Sequence, residues 1–334
     1  TATPEIYTLP LHDALPIWGF YATQDADSEG VEGKFYVWTD DEIRSVLADD
    51  ELHRAVRIHY GLAARGNFEG KNILYRAKDV AEVAGAVGLT AAEIQERLER
   101  AKLALFAARE KRVRPFRTEQ IILGWNGLML SGLARAAQAL GDRQPAAMAV
   151  QAANFLLSAM PVSPTHLLRI YQDGQARIPA FLDDYAFLIR GLLDLYETDF
   201  DPAWLAAALR FLETVLAEFK AAGGRYTLDS ARGERLFTRP VSGFDQAVPS
   251  GVAVHCQNLL RLHGLTGEER LGQEAESILH AYADEAARYP DGYAAFLSAL
   301  DMHLSGQTVV AIGGLDHPGE DLLRKLREVY LPNG

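Results

Sequence analysis

The sequence predicts a mainly α protein: an incomplete (α/α)6-type toroid of helical hairpins, with small β excursions and the start of a C-terminal α/β unit. Three observations predict it. A hairpin pattern recurs around Trp125-Asn126, Asp183-Asp184-Tyr185 and Pro249-Ser250-Gly251. Setting Leu133, Leu192 and Leu259 in register aligns Asn126, Tyr185 and Val252, at intervals of about 60 residues, the period of a helix-pair array. The first helix of each pair is apolar nearly all round, whereas the second helix of the middle pair carries a stripe, Leu205, Leu209, Leu212, Leu216 and Phe219, with Arg210, Glu213 and Glu218 turned to water. Such an inner and outer contrast favours a closed ring over an open solenoid. Inner helices would all start at one end, so their first residues would converge on a mouth.

The elements follow in order. Residues 1–17 have neither the basic region nor the apolar core of a signal peptide. They resemble translated sequencing-adapter read-through and are set apart as a leader; the stop at Gly334, just after a predicted helix, reads as a second truncation. Residues 19–39 read as strand, acidic loop and strand. Thr39 with Glu42, and Thr90 with Glu93, are capping boxes opening helices to about Ala48 and Lys111. A short helix lies over 53–60, and 67–74 is extended. Arg114-Pro115 ends the long helix. The hairpins pair 125–140 with 145–160, 183–198 with 202–221, and 251–265 with 267–287, Pro202 suiting a first helical turn. Between them, 223–228 and 234–240 read as a β excursion. After Gly306, a strand over 307–312, the Gly313-Gly314 turn and a helix from about Glu320 to Val329 suggest a separate unit. The domains are therefore 1–17, 18–305 and 306–334.

Composition narrows the function. The chain has 334 residues, 49% of them hydrophobic, and a net charge of -12 with no basic block. Nucleic acids and anionic membranes, which need clustered Lys and Arg, are excluded as partners. One cysteine, Cys256, allows no internal disulfide and suits a reducing cytoplasm; set in an apolar helix, it reads as core. No CxxC is present, and nothing in the spacing of nine histidines suggests zinc.

Asp183-Asp184-Tyr185 opens an apolar helix. One Asp is accounted for by capping and the helix dipole; two beside a tyrosine also suit divided general-acid and general-base work. Trp125-Asn126 occupies the equivalent position and pairs an indole, which stacks on sugar faces, with a carboxamide, which bonds hydroxyls. The run from Asp25 through Asp27 to Gly30 has the first half of a calcium loop, but its twelfth position is Tyr36, not an acid. Asp245 and Ser250 add a third acid and a hydroxyl. The expected ligand is a sugar or glycoside, hydrolysed or epimerised, with Asp183 or Asp184 moving the proton, Trp125 and Tyr185 as a stacking floor, Asn126 as hydroxyl anchor, and Asp25, Asp27 and Asp245 as secondary acids. No metal and no cofactor are expected. The competing expectation is a non-catalytic scaffold or sugar-binding module.

The strings GFYATQDADSEGVEGKFYVWT, NFEGKNIL, GWNGLM, FLDDYAFLIRGLLDLYE and PSG with LLRLHGLTG resemble a widespread family of thioredoxin-domain-containing proteins, whose mammalian members carry the spermatogenesis-associated name. The resemblance spans 18–334. It implies a thioredoxin-like domain preceding this region in cis, a six-hairpin toroid similar to glycoside hydrolases and N-acylglucosamine epimerases, and a small C-terminal α/β part. Four departures stand out. Val252-Ala253 replaces the family's Asn-Ser, which removes a polar group from the mouth. Thr118-Glu119-Gln120 replaces Asp-Asp-Lys, Arg225 an aromatic, and Trp18 a glycine.

Overall fold

A computed structural model describes residues 19–233, 237–310 and 318–329 of the chain. The leader over 1–17 and the Gly313-Gly314 turn lie outside the described residues. The chain divides into two compact units, one of Thr23–Glu119 and one of residues 19–22 with those from Gln120 onward. The sequence predicts one span over 18–305, which takes in the first unit and most of the second, and a separate one over 306–334.

The first unit is a small helical body. Strand β1 (Thr23–Gln24), the hairpin β2 (Asp27–Ser28) and β3 (Val31–Glu32), and helices α1 (Asp40–Leu47), α2 (Asp50–His59), α3 (Val80–Val87) and α4 (Ala91–Arg109) lead to β4 (Arg117–Thr118). Strand β4 pairs antiparallel with β1. Both predicted capping boxes are present, and α3 has a third, Asp79 with Glu82. Ile43, Val56, Val83, Ile94 and Leu105 form its core. Residues 34–39 are a turn closing on a single Trp38–Asn72 bridge, where a strand was expected. The Gly33 carbonyl accepts from the Tyr36 and Val37 N–H groups, which closes the turn, and Arg112 braces it, its guanidinium 3.9 Å over the Trp38 ring and donating to the Phe35 and Val37 carbonyls.

In the second unit, β5 (Ile121–Ile122) runs into α5 (Leu123–Leu140), and α6 (Arg143–Ala159) returns. A hairpin of β6 (Leu168–Gln172) and β7 (Gln175–Pro179) follows and completes a three-stranded antiparallel sheet in the order β5-β6-β7. Then come α7 (Leu182–Asp199) with α8 (Pro202–Glu218), α9 (Gly251–Thr266) with α10 (Glu269–Arg288), α11 (Ala294–Ser305) and α12 (Pro318–Arg327). The hairpins fall within a few residues of their predicted spans. Each first helix packs on the next, α5 on α7, α7 on α9 and α9 on α11, while α6, α8 and α10 back them. The protein is mainly α, and this side-by-side run of inner helices with an outer layer is the predicted α/α-hairpin class.

Inner helices approach closely where glycine allows it. A Cβ on Gly127 would lie 2.6 Å from the Leu188 nitrogen, and one on Gly191 would lie 2.6 Å from the Gly127 carbonyl. Helix α7 is correspondingly buried from Tyr185 to Ile189 and from Gly191 to Leu195. Helix α5 departs from the all-round burial expected, since Trp125 and Met129, one turn apart, are 43% and 39% exposed.

Four further expectations are corrected. The α8 stripe is Trp204, Ala208, Phe211, Leu212 and Val215 rather than the leucines at 205, 209 and 216. Glu218, expected in water, is buried, bonding His166 Nε2 at 2.8 Å and accepting from Ser230 Oγ at 2.7 Å. The described parts of the β excursion hold one bridge, Lys220 with Tyr226. Residues 307–310 are irregular, so the described part of the predicted final strand is not strand; its helix is α12.

Candidate functional site at the inner-helix N-termini

Every helix leaves its first N–H groups without intrahelical partners. Most helices here use a side chain of the cap residue, as Thr39 and Asp142 do. Helices α5, α7 and α11 follow Ile122, Phe181 and Tyr293, none of which caps through its side chain. The starts of α5 and α11 are met by carboxylates from neighbouring elements and that of α7 by its own Asp184, and this builds the site.

Asp184 Oδ1 accepts from the Gly124 N–H at 3.0 Å, tying α7 to the start of α5. Its Oδ2 accepts from the Phe181 N–H at 2.9 Å and from Arg169 Nη1 at 2.7 Å. Arg169, on β6, also lies over the Phe181 ring at 4.9 Å. Asp184 is 1% exposed. Burial pushes its pKa up, against the pull of Arg169 and of the backbone donors. Glycine makes the contact possible, since a Cβ on Gly124 would lie 2.9 Å from Asp184 Oδ1.

Asp183 turns to the other neighbour. It accepts from the Gly251 N–H, at the first residue of α9, and a Cβ at that position would overlap Asp183 Oδ1. It is half-buried. Burial raises its pKa and the adjacent Asp184 charge raises it further, with Arg169 and Gly251 opposing. Asp245 repeats the device, accepting from Ser250 N–H at 2.8 Å through Oδ1 and from Ala295 N–H at 2.8 Å through Oδ2, so it joins the starts of α9 and α11. Ser250 is the N-cap of α9 and accepts from the Ala253 N–H. The predicted convergence of inner-helix starts is therefore present, and Asp183, Asp184, Asp245 and Ser250 share it.

The remaining candidates separate. Trp125, in the first turn of α5, follows Gly124 and keeps an exposed indole. Asn126 is buried and saturated: Oδ1 accepts from the Phe20 N–H at 2.8 Å, and Nδ2 donates to the carbonyls of Phe20 and Ile122. It pins residues 19–21 and is no hydroxyl anchor. Tyr185 is not a stacking floor, because its ring lies edge-on to Phe211 and Phe219 of α8, and its hydroxyl accepts from the Leu167 N–H at 3.0 Å. Asp25 and Asp27 belong to the first unit, where both are exposed and Asp25 Oδ1 accepts the Asp27 N–H. Val252 and Ala253 are buried. Arg225, another departure, donates to the Ala281 carbonyl and to Glu285 of α10. Among the described residues no group of three or more His, Cys, Asp or Glu side chains is placed to hold a metal ion.

Sequence reasoning missed Arg169 and a second polar cluster further along the inner helices. There Asp194 Oδ1 accepts from Arg135 Nη2 and Arg261 Nη2, each at 2.9 Å, and Oδ2 accepts from Ser131 Oγ. The available signal was Arg190 with Asp194, charged residues one turn apart inside an otherwise apolar helix.

These features define a mainly α protein of packed α/α hairpins whose inner helices cap one another through carboxylates. It is similar to spermatogenesis-associated protein 20 of human, at 31% identity over 353 residues, and to its rat counterpart, at 33% over 354, each alignment covering 94% of this chain. The chain spans 45% of the length of these relatives. No protein-family model matches it. Among solved structures it resembles a GH76 α-mannanase of Bacteroides thetaiotaomicron (TM-score 0.46, 12% identity, 85% of this chain and 82% of that one). It also resembles a sugar epimerase from a ruminal bacterium (TM-score 0.45, 13% identity, 62% and 58%).

Proposed function

We propose that the cluster of inner-helix N-termini is a carbohydrate site in which Asp183 is the one proton-transferring group. The observation that carries this reading is the contrast between two adjacent acids. Asp184 has both oxygens engaged by three donors, whereas Asp183 keeps unengaged acceptor capacity, partial exposure and a pKa raised by burial and by Asp184. A carboxyl with a raised pKa is suited to give or take a proton near neutral pH. Asp184 then positions Asp183 and holds α5, α7 and β6 together, and Trp125 offers an apolar face to a sugar ring. Ser250 and Asp245 serve as supports.

A second reading, a sugar-binding scaffold without catalysis, is favoured by a specific observation. Hydrolysis uses two carboxyl groups flanking one bond, and Asp184 and Asp245 have their oxygens committed to backbone donors. Turnover and binding of a panel of glycosides and free sugars separate the two. Catalysis through Asp183 predicts turnover that Asp183→Asn abolishes while binding remains. A scaffold predicts binding without turnover, lost in Trp125→Ala. Binding that survives both Asp183→Asn and Trp125→Ala would remove the site altogether.

We further propose that the chain is the helical portion of a cytoplasmic member of the thioredoxin-domain-containing, spermatogenesis-associated family, with a thioredoxin-like domain in cis in the full-length protein. Identity to the curated relatives along 94% of the chain supports this. Among the described residues no helix is long and apolar enough to cross a membrane.

A further inference from the structure

Seven residues beyond Asp183 on α7 lies Arg190, two helical turns and about 10 Å along the same face. It is half-buried and, among the described residues, makes no hydrogen bond or ion pair. Its setting is crowded with cations. Arg135 from α5 and Arg261 from α9 flank it, so three adjacent inner helices each contribute a guanidinium, against the two carboxylates Asp194 and Glu197 of α7.

The carboxylates are already committed. Asp194 Oδ1 accepts from Arg135 and Arg261 and Oδ2 from Ser131; Glu197 bonds Arg261 at 2.6 Å and faces Arg135 at 3.4 Å. Arg190 is left as the surplus charge. Burial depresses its pKa, Asp194 offsets part of this, and Arg261 and Arg135 add to the depression. A half-desolvated guanidinium with no hydrogen-bonded partner is costly in the free protein, and its planar fork matches an oxyanion.

We propose that Arg190, between Arg135 and Arg261, receives the anionic group of the ligand, so that the site takes an acidic sugar bearing a carboxylate or a phosphate. The proposal rests on the carbohydrate reading above and adds the ligand's charge.

The test uses the 334-residue chain, calorimetric titration and thermal melts, with glucuronate, glucose 6-phosphate, glucose and inorganic phosphate as probes. One of the two acidic sugars is expected to bind at least about tenfold more tightly than glucose, the worth of a charge-assisted pair. Whichever arm gains identifies the anion. Added salt weakens that gain, and Arg190→Gln abolishes it. Measurable but equal binding of glucose and both acidic sugars overturns the proposal, as does a preference that survives in Arg190→Gln. A ligand-free readout guards against a structural explanation: Arg190→Met should melt at the same temperature as the parent or higher. A melt lowered by several degrees would make Arg190 a structural counter-charge and overturn the proposal. The two readings also fail separately. Phosphate stabilisation that needs Arg190, without any sugar binding, supports the anion site and removes the carbohydrate reading. Glucose binding lost in Trp125→Ala, without an anionic preference, does the reverse.

Discussion

Replacing Asp184 by asparagine changes one atom and removes one charge. The amide keeps a single oxygen where two now accept from the Gly124 N–H, the Phe181 N–H and Arg169 Nη1. In either orientation its amino group faces at least one donor, and Arg169 loses its counter-charge. Breaking a buried ion pair from one side costs about 3–5 kcal/mol. In a unit of about 200 residues each kcal/mol lowers the melting temperature by roughly 2–4 °C, so Asp184→Asn should melt roughly 6–20 °C below the parent. The double replacement Asp184→Leu with Arg169→Met removes both charges together. It should lose less than the sum of the two single changes, because neither is left to face an unpaired partner. Scanning calorimetry of the parent, Asp184→Leu, Arg169→Met and the double variant measures this coupling directly. An Asp184→Asn variant melting within a degree of the parent would refute the inter-helix capping described here, and so would strictly additive losses in the cycle.

Other consequences are independent of that pair. His255 is buried on α9 with neither ring nitrogen bonded, and burial pushes its pKa down to about 3. An unfolded histidine takes up its proton near pH 6.5, so this residue's contribution to stability is present above that pH and is lost as pH falls toward 3. By pH 4.5 the loss should reach about 3 kcal/mol. Urea titrations at pH 7 and pH 4.5 should show a smaller acid loss in His255→Leu by about that amount, and identical losses would contradict the assignment. Gly127→Ala places a methyl against the α7 backbone and should cost about 1–3 kcal/mol by overpacking, whereas Gly132→Ala, with open space around it, should cost nothing measurable in thermal melts.

The hairpins were legible because inner helices are apolar on several faces and Gly141, Pro202 and Gly267 mark their ends. The β6–β7 hairpin went unread although its signal was present. Asp173-Gly174 lies between extended segments, with φ of 53° and 78°, as a two-residue turn of the primed type requires. That hairpin carries Arg169, so overlooking it concealed the partner of Asp184. Asp183-Asp184 was readable as a pair, but not the division of its labour. Which acid bonds Gly124 and which Gly251 depends on how three helix starts meet, and no local pattern encodes that. Tyr185 and Asn126 misled for a related reason, since a polar aromatic or amide at a helix start serves packing as readily as binding. Residues 34–39 show the limit in the first unit, where a turn closed on the Gly33 carbonyl is braced by Arg112, a side chain distant in sequence.

The account turns on Asp183 being the acid left available for proton transfer while its neighbour is structural. A carboxyl with a raised folded pKa favours the folded state most when protonated, and that contribution is lost as pH rises from the ordinary carboxylate value of about 3.9 through the folded one. Site-resolved carbon-13 NMR titration of the Asp183 carboxyl, assigned by its absence in Asp183→Asn, reads the value directly. The midpoint is expected above that ordinary value and displaced when a binding sugar is added. A midpoint at or below about 3.9, unmoved by any bound sugar, would contradict it.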